Sequence, residues 1–415
     1  GSPKDSMVPL RPPVDERALS AESGAARLRW WQHALALSAI AAVIVVRFLP
    51  SLESRVPLGD ELAQERAFQL EASGLSPYTD GDYVYPPSLL RLDGLLRPLP
   101  LRSPYLLLRA ASVLGLSLIL WCASSWLAWT TWKRFGLTVL YVLFDPGVRQ
   151  GIEFGNLSFA VGGLILLALL LEERSPVTTG VLLGASLLVK PLAPAAVLTL
   201  LFDRTRPGRW HWLAATVAVL FAGLPLLADP ELAAFVTKGS SVWAIDRTVS
   251  LHRFLALSDH REAAKLLTIV LLVLVAFVAR RFAVDRSTRL AITLAGCVTA
   301  SPVVWNHTLV LTLPLQAMAF ALAVARYRRG SGAARRERRW EVAGIGLAVA
   351  ALTFAEGATG IDDRGRALQV LATLPPAIAP AALVAYVLRF HRPANATPAA
   401  PTPADRPPAP PAAFV

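Results

Sequence analysis

The chain has 415 residues, of which 54% are hydrophobic and 17% charged, with a mean hydropathy of +0.49. That excludes an ordinary soluble domain and indicates a polytopic membrane protein. The net charge of +12 does not indicate nucleic acid, because the arginines concentrate between apolar segments, where the positive-inside rule puts them.

In chain order, residues 1–30 read as a cytoplasmic tail, with 1–6 resembling a tag scar and Met7 the native start. Residues 31–390 read as one all-α transmembrane domain of about twelve spans, at roughly 20 residues per full crossing. The expected limits are 31–49, 104–130, 135–147, 157–172, 176–190, 191–203, 210–228, 262–281, 286–300, 307–327, 340–356 and 367–390. Residues 391–415, rich in Pro and Ala, read as a disordered cytoplasmic tail. Cys122 and Cys297 lie in apolar runs and read as small buried hydrophobes, without a disulfide or zinc framework. No metal-ligand spacing and no phosphate-binding Gly-rich loop stands in the chain, so a lipid is a better donor than a nucleotide sugar.

Basic loops set the orientation. Lys133-Arg134, Arg204/Arg206/Arg209, Arg280-Arg281 and the run from Arg326 to Arg339 alternate with less basic loops and read as cytoplasmic. The opposite, extracytoplasmic side carries residues 50–103, 145–156, 229–261 and 301–306. The first of these is acidic and long enough for two or three interfacial helices. One is expected from Asp60 to Gly74, with Ala63, Ala67 and Leu70 on one face and Glu61 and Glu65 on another.

Five places on that side carry polar chemistry, and each has a plain reading beside the functional one. Asp60 is either a general base for a sugar hydroxyl or a solvated acid and helix cap. Tyr83 and Tyr85, in Asp82-Tyr83-Val84-Tyr85-Pro86-Pro87, form either the wall of an acceptor pocket or an interfacial anchor. Asn156 is a helix N-cap or an amide donor to substrate. Lys190 ends the apolar run from Gly180 to Val189 and is followed by Pro191. A cation at bilayer depth costs a few kcal/mol, roughly, and needs an anionic partner unless it snorkels to the headgroups. His307, in Ser301-Pro302-Val303-Val304-Trp305-Asn306-His307, either binds phosphate or relays a proton, or is structural beside Trp305.

Taken in order, these pieces resemble glycosyltransferase family 87, within the GT-C superfamily of membrane sugar transferases. Asp60, Gly74, Pro77-Tyr78, Tyr85-Pro86-Pro87, Gly155-Asn156, Lys190-Pro191 and Ser301 to His307 carry the resemblance, over roughly residues 55–315. The pattern has an aromatic residue where Gln64 stands, a Gln where Glu153 and Phe154 stand, and an Asn-x-Ser-Leu element at Arg247 to Leu251. The resemblance implies a polyprenyl-phosphate sugar donor, Asp60 as the catalytic base, Lys190 and His307 on the donor phosphate, and Tyr83, Tyr85, Asn156 and Trp305 on the substrates. It implies inversion at the anomeric carbon without a metal or other cofactor, and a glycolipid or lipid-linked glycan acceptor. The location implied is the inner membrane, with the site facing the periplasm and membrane lipids as partners. Mannose is favoured over arabinofuranose. A transporter or flippase of lipid-linked sugars is the alternative, although it favours internal symmetry of the spans.

Overall fold

The computed structural model describes residues 30–54, 56–79, 83–99, 105–127, 131–202, 208–239, 250–257, 261–281, 286–301, 304, 306–353 and 366–390. The expected tails at 1–29 and 391–415 lie outside the described residues. The protein is all-helical, with no strand among the described residues. The helices in order are α1 (Trp30–Leu52), α2 (Gly59–Ala72), α3 (Pro87–Leu96), α4 (Leu106–Ser125), α5 (Thr131–Phe144), α6 (Pro146–Glu153) and α7 (Ser158–Leu171). There follow α8 (Pro176–Val189), α9 (Pro194–Phe202), α10 (Gly208–Ala228), α11 (Leu232–Gly239), α12 (Leu251–Leu257), α13 (Arg261–Arg281) and α14 (Arg286–Thr299). A short α15 (Asn306–Leu309) passes through a 3-10 turn into α16 (Leu313–Arg329), and α17 (Gly332–Thr353) and α18 (Arg366–Phe390) close the chain.

Among the described residues, length and composition qualify five helices as candidate membrane spans: Trp31–Leu52, Leu106–Ser125, Gly208–Ala228, His307–Arg329 and Thr373–Phe390. The pair α6 and α7, bent by 108° at its break, adds a sixth if it is one span. About twelve full crossings are therefore not supplied by these helices. The physical reason is length: α5, α7, α8 and α14 have 14 residues each and α9 has nine. A 14-residue helix rises only about 21 Å, short of a hydrocarbon core about 30 Å thick. The segment expected at 340–356 is α17, which starts inside the arginine run and so carries its charges into the helix.

Small residues bring the helices close. A Cβ on Gly115 of α4 would lie 2.1 Å from the Phe159 carbonyl oxygen, and one on Gly163 of α7 would lie 2.4 Å from the Gly115 Cα. Gly180 and Gly184 on α8 approach the Ala214 and Ala218 carbonyls of α10 in the same way. In a bilayer such backbone-to-backbone packing replaces the missing hydrophobic drive between helices. Around this seam, α7, α8, α9, α14 and α16 enclose the main apolar core, which includes Ile165, Leu183, Leu200, Leu294 and Leu315. Cys297 is buried in it as a free thiol, and Cys122 packs at its edge.

The chain turns back tightly between α7 and α8, where the Ser175 hydroxyl accepts the Thr178 N–H at 3.2 Å. Ser158 and Lys190 thus stand at one end of the bundle and Glu172 at the other. Glu172 pairs there with the buried Arg289, and its backbone carbonyl accepts the Trp210 indole N–H at 2.9 Å. The end opposite Lys190 also exposes Trp31, Trp132, Trp212 and Trp340, near the first turns of α1, α5 and α10 and beside the arginines of α17. Exposed tryptophans level with arginines are what a membrane–water interface selects.

The long loop at 50–103 does contain two helices, α2 and α3, but the amphipathic face expected on α2 is corrected. The buried residues are Glu61, Gln64 and Ala67, whereas Ala63 and Leu70 are only half-buried. A carboxylate, rather than the apolar stripe, faces inward because Arg109 on α4 waits there for it.

Candidate active site

The site is assembled where α2 starts, at the break between α6 and α7, and at the end of α8. The Asp145 side chain opens α6 by accepting the Val148 N–H at 2.8 Å, with Pro146 in the first turn. At the other end of α6, Gly155 has φ +66°, a left-handed value at which a Cβ is strained. A side chain there would also strike the Glu61 carboxylate, with contacts near 2.7 Å. Into this notch docks the first turn of α2: the Asp60 N–H donates to the Phe154 carbonyl at 2.8 Å.

Glu61 fixes the docking. Its carboxylate accepts from Arg109 Nε at 2.8 Å and Nη2 at 2.5 Å, and from the Leu58 N–H at 2.9 Å. Arg109 Nη1 also donates to the carbonyls of Ser51, Leu52 and Ser54 at 3.2, 3.1 and 2.6 Å. Both side chains are 2% exposed. Breaking such a pair on one side leaves a buried charge and costs about 3–5 kcal/mol, whereas replacing both partners is often neutral. Arg109→Met is therefore expected to lower the thermal midpoint of the purified protein by several degrees. Adding Glu61→Gln to Arg109→Met should recover most of that loss. A midpoint unmoved by the single change would mean that the pair is hydrated.

With α2 held, Asp60 meets two partners. The Tyr85 hydroxyl donates to Asp60 Oδ2 at 2.8 Å, and Asn156 Nδ2 donates to the same oxygen. Asn156 Nδ2 also lies 3.2 Å from the Tyr85 oxygen, while Asn156 Oδ1 accepts the Ser158 N–H at 2.8 Å at the start of α7. One asparagine thus closes a helix end and steers a carboxylate. Burial, and next the Asp60 charge beside it, push the Tyr85 hydroxyl well above its ordinary pKa, so it remains a donor.

Lys190 ends α8 in an extended conformation (φ −155°, ψ 127°), as a residue before proline prefers. The Ser88 hydroxyl on α3 donates to the Leu188 carbonyl at 2.5 Å and ties this end to the loop helices. Lys190 is 8% exposed. Its Nζ donates to Ser158 Oγ at 2.8 Å and lies 5.7 Å from the centre of the Tyr85 ring. It is also within electrostatic reach of Asp60 and of His307. No carboxylate forms an ion pair with it among the described residues. Ser158 Oγ stands 3.4 Å from Thr308 Oγ1, which brings in α15. His307, 3% exposed, packs against Gly151 of α6, where a Cβ would come within 3.0 Å of its own.

Asp60, Tyr85, Asn156 and Lys190 therefore share one cluster, with His307 at its edge. Tyr83 stands behind it: its hydroxyl donates to the Pro86 carbonyl at 3.0 Å, and its ring lies between those of Tyr78 and Tyr85. Trp305 lies outside the described residues, as do Asp82 and residues 240–249. Sequence reasoning missed Glu61, Arg109, Ser158 and Thr308. Arg109 had a signal, since it sits in Leu106-Leu107-Leu108-Arg109-Ala110-Ala111 and an ionisable residue in an apolar run calls for a partner. The two hydroxyls had none.

A carboxylate with two neutral donors, facing a buried cation across one tyrosine ring, is suited to taking a proton from a hydroxyl beside an anion. The family model of glycosyltransferase family 87 matches residues 83–305, more than half of the chain. The chain belongs to glycosyltransferase family 87. It is accordingly a membrane-embedded glycosyltransferase, which uses a sugar donor and an acceptor. The family 87 match includes Tyr85, Asn156, Ser158 and Lys190, with Asp60 before it and His307 just after it. No curated protein matches the chain.

Proposed function

We propose that the protein transfers a sugar from a polyprenyl-phosphate donor to a hydroxyl of a glycolipid or lipid-linked glycan. Mannose is the favoured sugar and arabinofuranose the next. The reaction takes place on the extracytoplasmic side of the inner membrane, in building the cell envelope, with the arginine-rich end in the cytoplasm.

The observation that carries this reading is Lys190. It is a buried cation whose one hydrogen-bond partner among the described residues is the neutral Ser158 hydroxyl. A charge held so deep calls for an anion, and the phosphate of a membrane-soluble donor supplies one. In the reaction Asp60 accepts the proton of the acceptor hydroxyl. The acceptor oxygen then bonds to the anomeric carbon from the face opposite the phosphate. The bond from that carbon to the phosphate oxygen breaks, and its electrons leave with polyprenyl phosphate. Lys190, with His307 at its side, stabilises the charge growing on that oxygen, an effect that is largest where water is excluded. Tyr85 and Asn156 hold Asp60 toward the acceptor, and Tyr83 and Trp305 complete the sugar-binding wall.

The test uses the full chain in lipid nanodiscs with polyprenyl-phosphate mannose and polyprenyl-phosphate arabinofuranose in parallel, plus a glycolipid extract. Release of polyprenyl phosphate is expected with one donor and only when the extract is present. Tight binding of a donor without release in any extract, together with its movement between leaflets, would replace the transferase reading by a transporter.

A further inference from the structure

Gln64 has no use in the site as described, yet it is completely buried. Neither its amide nitrogen nor its amide oxygen has a hydrogen-bond partner among the described residues. A buried carboxamide left without partners carries its full desolvation penalty, and an apolar side chain of the same shape avoids that cost. Such orphans in a native fold call for an absent partner, either a water or a ligand.

Its position selects between the two. Gln64 is four residues after Asp60 on α2, so the two side chains are neighbours on one helical face. The inward face of α2 reads Glu61, Gln64, Ala67, which is polar for a buried face. Glu61 is matched by Arg109. Next along the helix, Glu65 binds Arg97 at 2.6 Å and Tyr105 at 2.9 Å. Among the described residues, Gln64 is the buried side chain on this stretch of α2 without a partner. One turn further along α2, Ala67 belongs to the buried apolar cluster of Tyr78, Tyr83, Tyr85, Leu89 and Leu90, with Phe68 packed against it, so Gln64 stands between Asp60 and the tyrosines of the site.

We propose that Gln64 is a specificity-determining residue whose carboxamide hydrogen-bonds a sugar hydroxyl adjacent to the reacting centre at Asp60. The inference rests on the transferase reading above. An amide offers both a donor and an acceptor, and a sugar hydroxyl answers either. The hydroxyl belongs to the acceptor sugar or to the transferred one, and the two sources are separable.

The experiment compares the unsubstituted chain with Gln64→Leu and Gln64→Met, in nanodiscs. The donors are farnesyl-phosphate mannose and farnesyl-phosphate arabinofuranose, intact and as their monodeoxy forms. The acceptors are octyl mannoside and octyl arabinofuranoside, again intact and monodeoxy. The expected result is that one deoxy compound lowers kcat/KM of the unsubstituted chain by tenfold or more. Gln64→Leu should lose a similar factor with the intact compound and show no further loss with the deoxy one. A deoxy donor giving this pattern assigns the hydroxyl to the transferred sugar, and a deoxy acceptor assigns it to the other. Both substitutions should also leave the thermal midpoint unchanged or raise it, which separates lost recognition from lost folding. If Gln64→Leu and Gln64→Met keep full kcat/KM and the same deoxy ratios, Gln64 is a core amide on a buried water and the proposal fails alone. Absence of transfer by the unsubstituted chain overturns this proposal together with the transferase reading.

Discussion

Asp60→Asn is expected to reduce transfer by about 10²–10⁴, the range a positioned general base contributes, while donor affinity changes by less than about threefold. The two expectations come from the same two hydrogen bonds. Tyr85 and Asn156 both donate to Asp60 Oδ2. An asparagine carbonyl at that place accepts the same donors, so the side chain stays where it is and the Glu61–Arg109 clamp is untouched. What is lost is the capacity to take a proton. Donor binding depends on Lys190, on a different helix. Polyprenyl phosphate release and donor titration, made on the same preparation, check the pair of values. Turnover within tenfold of the unsubstituted chain would remove Asp60 as the base, and a parallel loss of donor affinity would recast it as a binding residue.

Asp60, Tyr85 and Asn156 stand out in the sequence while the groups that surround them in the fold do not, and the difference has a physical basis. Lys190 and Asp60 each violate a local rule: a cation ends an apolar run before a proline, and an acid opens a loop beside the membrane. Such violations stand out in one dimension. Asn156 also stood out, as a helix-start residue after glycine, but its plain and functional readings could not be separated. In the fold its carbonyl serves the helix start, as the plain reading has it, and its amide donates to Asp60, a protein partner that neither reading named. Ser158 and Thr308, in contrast, are ordinary residues for membrane helices, and only the fold shows Ser158 bonded to Lys190 with Thr308 beside it. The count of about twelve crossings is not confirmed by the described helices, for a different reason. Hydropathy registers apolar length but not breaks, and α5, α7, α8 and α14 are each too short to span alone.

The acidic loop taught a similar lesson. Read as a string, Glu61, Glu65, Glu71 and Asp93 suggest a negative surface that selects a neutral acceptor. In the fold Glu61 meets Arg109, Glu65 and Asp93 meet Arg97, and Glu71 meets Arg91, which also binds Asp229 at 3.0 Å. The Ser76 hydroxyl donates to Glu231 at 2.6 Å. These contacts stitch the loop to the start of α11 and neutralise much of its charge. The acids hold the loop to its neighbours, and selection of the acceptor is left to groups that remain unmatched.

Lys190→Met should weaken binding of polyprenyl phosphate by about tenfold to a hundredfold, since a hydrogen bond to a charged group is worth about 1.5–3 kcal/mol. It should lower kcat/KM further, by about 10²–10³, because the charge on the leaving oxygen is greatest in the transition state. Stability should move the other way. A methionine fills much the same volume, and removing an unpaired buried cation relieves its desolvation cost, so the thermal midpoint without donor should hold or rise. Only the Ser158 hydroxyl loses a donor in exchange. Added donor should then raise the midpoint of the unsubstituted chain and leave that of Lys190→Met nearly unmoved, by mass action on a folded-state ligand. A lysine serving only to anchor α8 gives the opposite signature: a lower midpoint without donor and an unchanged affinity. Lys190→Arg tests the shape of the site. A planar guanidinium cannot reproduce a compact ammonium held by Ser158 over the Tyr85 ring, so it should restore donor affinity only in part and turnover still less.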